Sequence, residues 1–319
     1  MSKEKTKRIT SIGGQALIEG ILMRGPEKTS LAVRKPDGSI YNEYMSISQI
    51  KDKSKLFKLP IFRGISSFID SMIIGYKALM ISAEISAQEN EAEELSKVEK
   101  WIDDKFGDKI MGIIMTIASI LGIAFSVLLF LVFPTWIFNL ISSHVSALHS
   151  TVVYRSIFEG ILRIVIFLAY VMLCSQLKDM KRVFQYHGAE HKTIFCYECE
   201  EELTVDNVKT HTRFHPRCGT SFMFLMILVG IIVGFFIPFS NPFLRSFIKI
   251  LCIPIIVGLG YELIKVCGKY DNVITRIISA PGLWIQRITT KEPDDDMIEI
   301  AITAMKAVIP ENGDDIIGS

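Results

Sequence analysis

The chain has 319 residues, of which 50% are hydrophobic, and a mean hydropathy of +0.36. That is high for a soluble domain and low for a protein buried almost wholly in lipid. Its 35 Lys and Arg against 34 Asp and Glu leave a net charge of +1, which gives no electrostatic footprint for nucleic acid.

In chain order, the basic start MSKEKTKR is followed by ITSIGGQALIEGILM, an apolar run broken by Gly13, Gly14 and Glu19. Those breaks argue against a signal peptide. Residues 1–58 read as a β-rich unit, because SLAVRKPDGSIYNEYMSI has two strand-like runs around Pro-Asp-Gly-Ser, a hairpin signal. Residues 59–109 read as an amphipathic helix followed by an acidic helical linker over 87–100. In the helix, Arg63, Asp70, Lys77 and Glu84 recur every seven residues, and such a polar stripe must find partners or water.

Residues 110–177 are expected to form a first membrane helix pair. Residues 110–138 carry no Asp, Glu, Lys or Arg and are long enough to cross a bilayer. The second member, 152–177, carries Arg155, Glu159 and Arg163 at four-residue intervals, a stripe expected to face the one in 59–85. A second pair is expected over 220–264, with one span at 220–239 and another at about 243–264 that carries Arg245, Lys249 and Glu262. Between the pairs lies a His/Cys-rich loop, 178–219. The segment 265–319 contains a last helix with Asp294 to Asp296 in its first turn, where the dipole favours negative charge. The final ten residues are expected to be disordered.

Lys and Arg number eighteen in residues 1–109, none in 139–151, seven in 178–219 and six after 264. Positive charge stays inside, so both termini and the 178–219 loop are expected in the cytoplasm. Thiols there bind metal more readily than they form disulfides.

That loop contains QYHGAEHKTI, with His187 and His191 four apart and Glu190 beside the second. His-x-x-Glu-His is the reverse of the zinc-protease helix motif. Two imidazoles at this spacing can hold one metal ion, and the carboxylate can take a proton from water. Downstream, HTRFHPRCGTSF adds His211, His215 and Cys218. His187, His191, His215 and Cys218 would make four nitrogen and sulfur ligands for zinc. Glu198 or Glu262 are other completions, and Cys196 and Cys199 with His215 and Cys218 would form a separate zinc knuckle. Four ligands make a closed structural site, and three with an open position make a catalytic one.

GGQALIEGILMRGP (13–26), YHGAEHKTI (186–194), HPRCGTSF (215–222) and TTKEPDD (289–295), in this order along nearly the whole chain, resemble the bacterial YqhQ-like membrane proteins. These form a family of unknown function sometimes described as metal-dependent enzymes. The resemblance implies an integral membrane protein with His187, Glu190, His191, His215, Arg217 and Cys218 among its signature residues. It implies Gly13, Gly14, Gln15, Glu19, Gly20, Arg24 and Gly25 at the N-terminus, while His211, Cys196 and Cys199 fall outside the pattern. The N-terminal motif is neither a phosphate loop nor a dinucleotide fingerprint. Its glycines serve tight turns, or Gln15, Glu19 and Arg24 line a pocket facing the metal.

The sequence thus predicts a mainly α, polytopic helical membrane protein of about four spans with a small cytoplasmic α+β part, multi-pass in the cell membrane. The expected function is metal-dependent hydrolysis at the cytoplasmic membrane surface. A divalent metal, zinc, is held by His187, His191, His215 and Cys218, with Glu190 as base and Arg217 stabilising negative charge. The alternatives are a non-enzymatic scaffold or assembly factor with a structural metal, and a transporter. Expected partners are the lipid bilayer and other membrane proteins or a second copy, with no nucleic acid. No motif names a substrate.

Overall fold

The computed structural model of the chain describes residues 7–45, 50, 54–87, 108–144, 151–270 and 272–317. Beyond Ala87, the expected helical linker lies outside those residues. The chain divides into two compact units that cut across its sequence order. One combines Met1–Gln88, Val171–Leu225 and Gly258–Ser319, and the other combines Glu89–Tyr170 and Met226–Val257.

The first unit is built on four antiparallel strands, β1 (Gly13–Leu17), β2 (Gly20–Arg24), β3 (Thr29–Arg34) and β4 (Ile40–Tyr44), in that order across the sheet. The β3–β4 connection is the expected hairpin. Gly38 sits at φ 84°, its N–H reaches the Lys35 carbonyl, and the Asp37 carboxylate takes the Ser39 N–H at 2.8 Å. These are the roles in which Gly and Asp favour turns.

Successive strand residues point to opposite faces, and both faces are used. Ile21, Met23 and Ala32 pack on one side with Tyr186, Ala189 and Ile194 of helix α5 (Lys178–Glu198) and Met297, Ile298 and Ala301 of helix α11 (Asp295–Lys306). Leu17, Leu22, Leu31 and Val33 pack on the other with Ile74, Ala78 and Ile85 of α1 (Phe62–Ala87). Each large side chain so buried contributes roughly 1.5–3 kcal/mol. The sheet is therefore the middle layer of three. Helix α11 begins at Asp294 with Asp295 and Asp296 in its first turn, as expected.

The expected disorder at the C-terminus does not hold for residues 310–317. Thr10 and Ile316 form a β-bridge, the Thr10 hydroxyl donates to Asp315 at 2.6 Å, and the Ser11 N–H bonds the Asp315 carbonyl. A polar, Gly-containing tail carries no apolar period to announce this. Its order comes from pairing with a segment some 300 residues earlier in the chain.

Among the described residues, three helices are long and apolar enough to cross a membrane. The first is α1. The second runs over Thr116–Ser142, where α2 (Asp108–Val127) and α3 (Phe133–Ser142) join through a π-helical turn, Leu128–Val132. The third is α4 (Val152–Cys174). The span expected at 220–239 is shorter, because α7 covers only Gly219–Gly234. Beyond Gly234 the N–H groups of Phe235, Phe236 and Ile237 bond three residues back in a tightened end, and Pro238 has no N–H to continue. The expected span at 243–264 is a bent pair, α8 (Pro242–Leu251) and α9 (Ile253–Lys269), which meet at 52°. Pro254 removes an amide and crowds the preceding turn at that break. If the pair is one span, the described residues hold up to four. The remaining described helices are α6 (Val205–Thr210) and α10 (Val273–Thr289).

Arg63 and Asp70 of one charged stripe and Glu159 of the other have partners of their own. The Arg63 guanidinium donates to Glu262 at 2.6 Å, and Asp70 accepts the Ile50 N–H at 3.1 Å. Glu159 accepts from Arg245 at 3.0 Å and from Lys249. Arg245 and Lys249 lie one turn apart on α8, so both reach one carboxylate.

Candidate metal centre

Helix α5 carries His187, Glu190 and His191 on one face, as the 3.6-residue period requires. Gly188 lets this face come close to the segment after α10, since a β-carbon there would overlap the Lys291 carbonyl oxygen. That approach puts His187 Nδ1 2.9 Å from the Thr289 carbonyl. His191 Nδ1 lies 2.6 Å from the Arg213 carbonyl. A carbonyl can only accept, so each Nδ1 carries a hydrogen.

The two rings stand edge to face, with centroids 4.4 Å apart. Cys218, the residue before α7, meets them, and its Sγ lies 3.2 Å from His187 Nε2. Ligand atoms of His187, His191 and Cys218 all fall within 4.8 Å of one another. Two ligands of one zinc lie at most about 4–4.6 Å apart, twice a zinc–ligand bond, so small adjustments bring all three within reach. The Thr220 N–H and hydroxyl approach Sγ at 3.4 and 3.0 Å. Burial would raise the Cys218 thiol, but the charges of His187 and His191 outweigh it and hold it well below its ordinary range. Burial likewise opposes charge on His187, yet the neighbouring sulfur lifts its ring to about 9.

Glu190 is buried beside the pair. Burial raises its carboxyl above the usual range against the pull of His191 and His187. Its Oε1 accepts the Gly14 N–H at 3.0 Å. A β-carbon at Gly14 would sit 2.9 Å from the Glu190 side chain, so one glycine of the N-terminal motif serves a close approach to this carboxylate. Glu19 of the same motif pairs with Arg182 and accepts from the Tyr186 hydroxyl at 3.2 Å.

His215 stands next to the cluster, its ring 5.6 Å from that of His191. Its own polar contacts run elsewhere. Nδ1 accepts the Arg217 N–H at 3.3 Å, and Nε2 faces Glu198 at 3.7 Å. Burial, only partly offset by Glu198, keeps His215 neutral with a pKa of about 4. Arg217 donates to the Thr10 carbonyl at 2.6 Å and pairs with Glu198. Burial raises Glu198, but His215 and Arg217 together pull it below its usual range. Glu198 and Glu262, the other sequence-level completions, are thus engaged with Arg217 and Arg63. Nor does the knuckle arrangement assemble, since Cys196 instead gathers with Glu201 and His211.

Gln286 of α10 carries no functional signature in the sequence, yet it holds the loop that delivers His215 to Cys218. Its amide accepts the His215 N–H at 2.8 Å and donates to the His215 carbonyl at 2.7 Å, copying a strand partner inside the core. Gln286→Ala leaves both backbone groups unpaired and is expected to destabilise the protein by about 1–3 kcal/mol, read as a lowered thermal midpoint. A midpoint equal to wild type would show that water replaces the amide. The carbonyls of Thr289 and Arg213 likewise have no sequence signature, because any residue supplies a carbonyl.

Two imidazole nitrogens and one thiolate would make a borderline-soft donor set of the kind zinc takes, and three such ligands would leave a fourth position open.

A family model described as "Protein of unknown function (DUF1385)" matches residues 59–311. The chain is 33% identical over 314 residues to the uncharacterized protein YqhQ of Bacillus subtilis (strain 168), covering 97% of this chain and 95% of that protein. No solved structure matches it. The chain belongs to the DUF1385 family of proteins of unknown function.

Proposed function

We propose that this is an integral membrane protein, with both termini and the metal centre on the cytoplasmic side, that carries out metal-dependent hydrolysis near the membrane surface. His187, His191 and Cys218 hold a divalent ion, zinc. One observation carries this reading. Both Nδ1–H groups are tied to backbone carbonyls, which leaves the Nε2 of each ring for the cluster with the Cys218 sulfur. A metal ion can replace the proton that these groups otherwise share, and outer hydrogen bonds of this kind orient imidazoles on metals.

When bound, the ion supplies Lewis acidity. Glu190, held by the Gly14 N–H, accepts the proton of the attacking water. His215 stands behind His191, and Arg217 and Gln286 fix it there. Glu190→Gln keeps the size of the side chain and removes the base. It is expected to retain the metal and to lower hydrolysis of activated esters and phosphodiesters by about 10²–10⁴-fold. Equal turnover by wild type and Glu190→Gln, with metal bound in both, would transfer the centre to the scaffold reading, in which a structural metal clamps the loop.

A further inference from the structure

Among its described residues, the unit formed by Glu89–Tyr170 and Met226–Val257 buries more positive than negative charge. Arg245 is 0% exposed, Lys249 5% and Arg163 8%, and the carboxylate among them, Glu159, is 1% exposed. Three cations against one anion leave an excess of two charges among the described residues. Uncompensated charge in an apolar helical setting is costly enough to demand a partner.

The hydrogen bonds show where the excess sits. Both Glu159 oxygens are taken by Arg245 and Lys249. Arg245 satisfies its remaining nitrogens on Ser156 at 2.9 Å and on the carbonyls of Ile237 and Gly234. Arg163 has no carboxylate within ion-pair distance among the described residues. Its Nε donates at 2.8 Å to the carbonyl of Phe130, within the π-helical turn, and its buried Nη2 has no hydrogen-bond partner. The Ser246 hydroxyl, between Arg245 and Lys249 on α8, is also buried without a partner. π-turns concentrate at functional sites. Here one turns a carbonyl toward an arginine that its surroundings leave half-satisfied. A β-carbon at Gly230 would stand 3.8 Å from the other terminal nitrogen of Arg163, in ordinary van der Waals contact.

We propose that Arg163 and Lys249 bind a phosphate group inside this unit, in an anion site distinct from the metal centre. A planar guanidinium, an ammonium and a hydroxyl match several oxygens of a tetrahedral oxyanion. One or two negative charges on the ligand offset the excess. The phosphate belongs either to a phospholipid headgroup or to the free anion.

The test uses full-length protein purified in a neutral maltoside detergent. One arm titrates inorganic phosphate against chloride and reads the thermal midpoint. The other adds phosphatidylglycerol and reads bound lipid by native mass spectrometry. At least one ligand is expected to bind wild type and to bind Arg163→Gln at least tenfold more weakly. A phosphate response identifies the free anion, and a retained lipid identifies the headgroup. Arg163→Lys keeps the charge but cannot fill the Nη2 position, so it should show the same loss if Arg163→Gln fails to fold. Absence of binding by wild type in both arms, or undiminished binding by whichever variant folds, overturns the site.

Discussion

Glu159→Ala should lower stability by about 3–5 kcal/mol, the scale for removing one partner of a buried ion pair. Among the described residues, Glu159 is the carboxylate paired with Arg245 and Lys249, and all three are buried. Its loss leaves two adjacent cations on α8 without a counter-charge, where attraction becomes repulsion. Arg245 keeps its bonds to Ser156 and to two carbonyls, but Lys249 has no other recorded partner among the described residues. Double substitution with Lys249→Met should therefore recover part of the loss, because it removes the orphaned charge. Unfolding in a detergent titration reads the effect. A change within about 0.5 kcal/mol, as at an ordinary surface position, would mean that water reaches this cluster.

Cys218→Ser should weaken zinc binding by more than the 10–100-fold typical of losing an outer hydrogen-bond partner, since it removes a ligand. The hydroxyl is a poor anion at neutral pH, whereas the thiol is held well below its ordinary range by the two histidines. The position itself is rigid. Gln286 pins His215, three residues upstream, and Thr220 bonds the sulfur from the first turn of α7. Serine keeps those contacts, so the fold should persist while affinity falls. A competition titration against a zinc chelator reads this, and equal affinity in Cys218→Ser and wild type would remove the sulfur from the site.

Local pattern made part of this structure legible. His187, Glu190 and His191 share a helix face because their spacing dictates it, and the Pro-Asp-Gly-Ser hairpin forms where its turn residues require. The long apolar run ahead of residue 138 is a helix for the same reason. The rest depends on long-range contacts with no periodic signature. Glu198 and Arg217 take up the nitrogens of His215, one of the four ligands read from the sequence. The anchors of the imidazoles are carbonyls, and the bond that holds Glu190 is a glycine amide. Glu159 finds its cations 86 and 90 residues away. The charged stripe in α1 suggested an amphipathic helix; α1 is nonetheless long and apolar enough to cross a membrane, and Arg63 and Asp70 of its stripe are met by Glu262 and the Ile50 amide. In the opposite direction, a continuous apolar run suggested a full span over 220–239. The helix stops short at Gly234 ahead of Pro238, a limit that backbone chemistry sets and hydropathy does not report.

Elemental analysis of the full-length protein, purified without chelator, bears most directly on the metal centre. Wild type should carry one zinc per chain, and Glu190→Gln the same, while His187→Ala should carry less than about a tenth as much. Wild-type protein free of metal, or a His187→Ala variant with undiminished metal, would contradict the assignment of His187, His191 and Cys218 as its ligands.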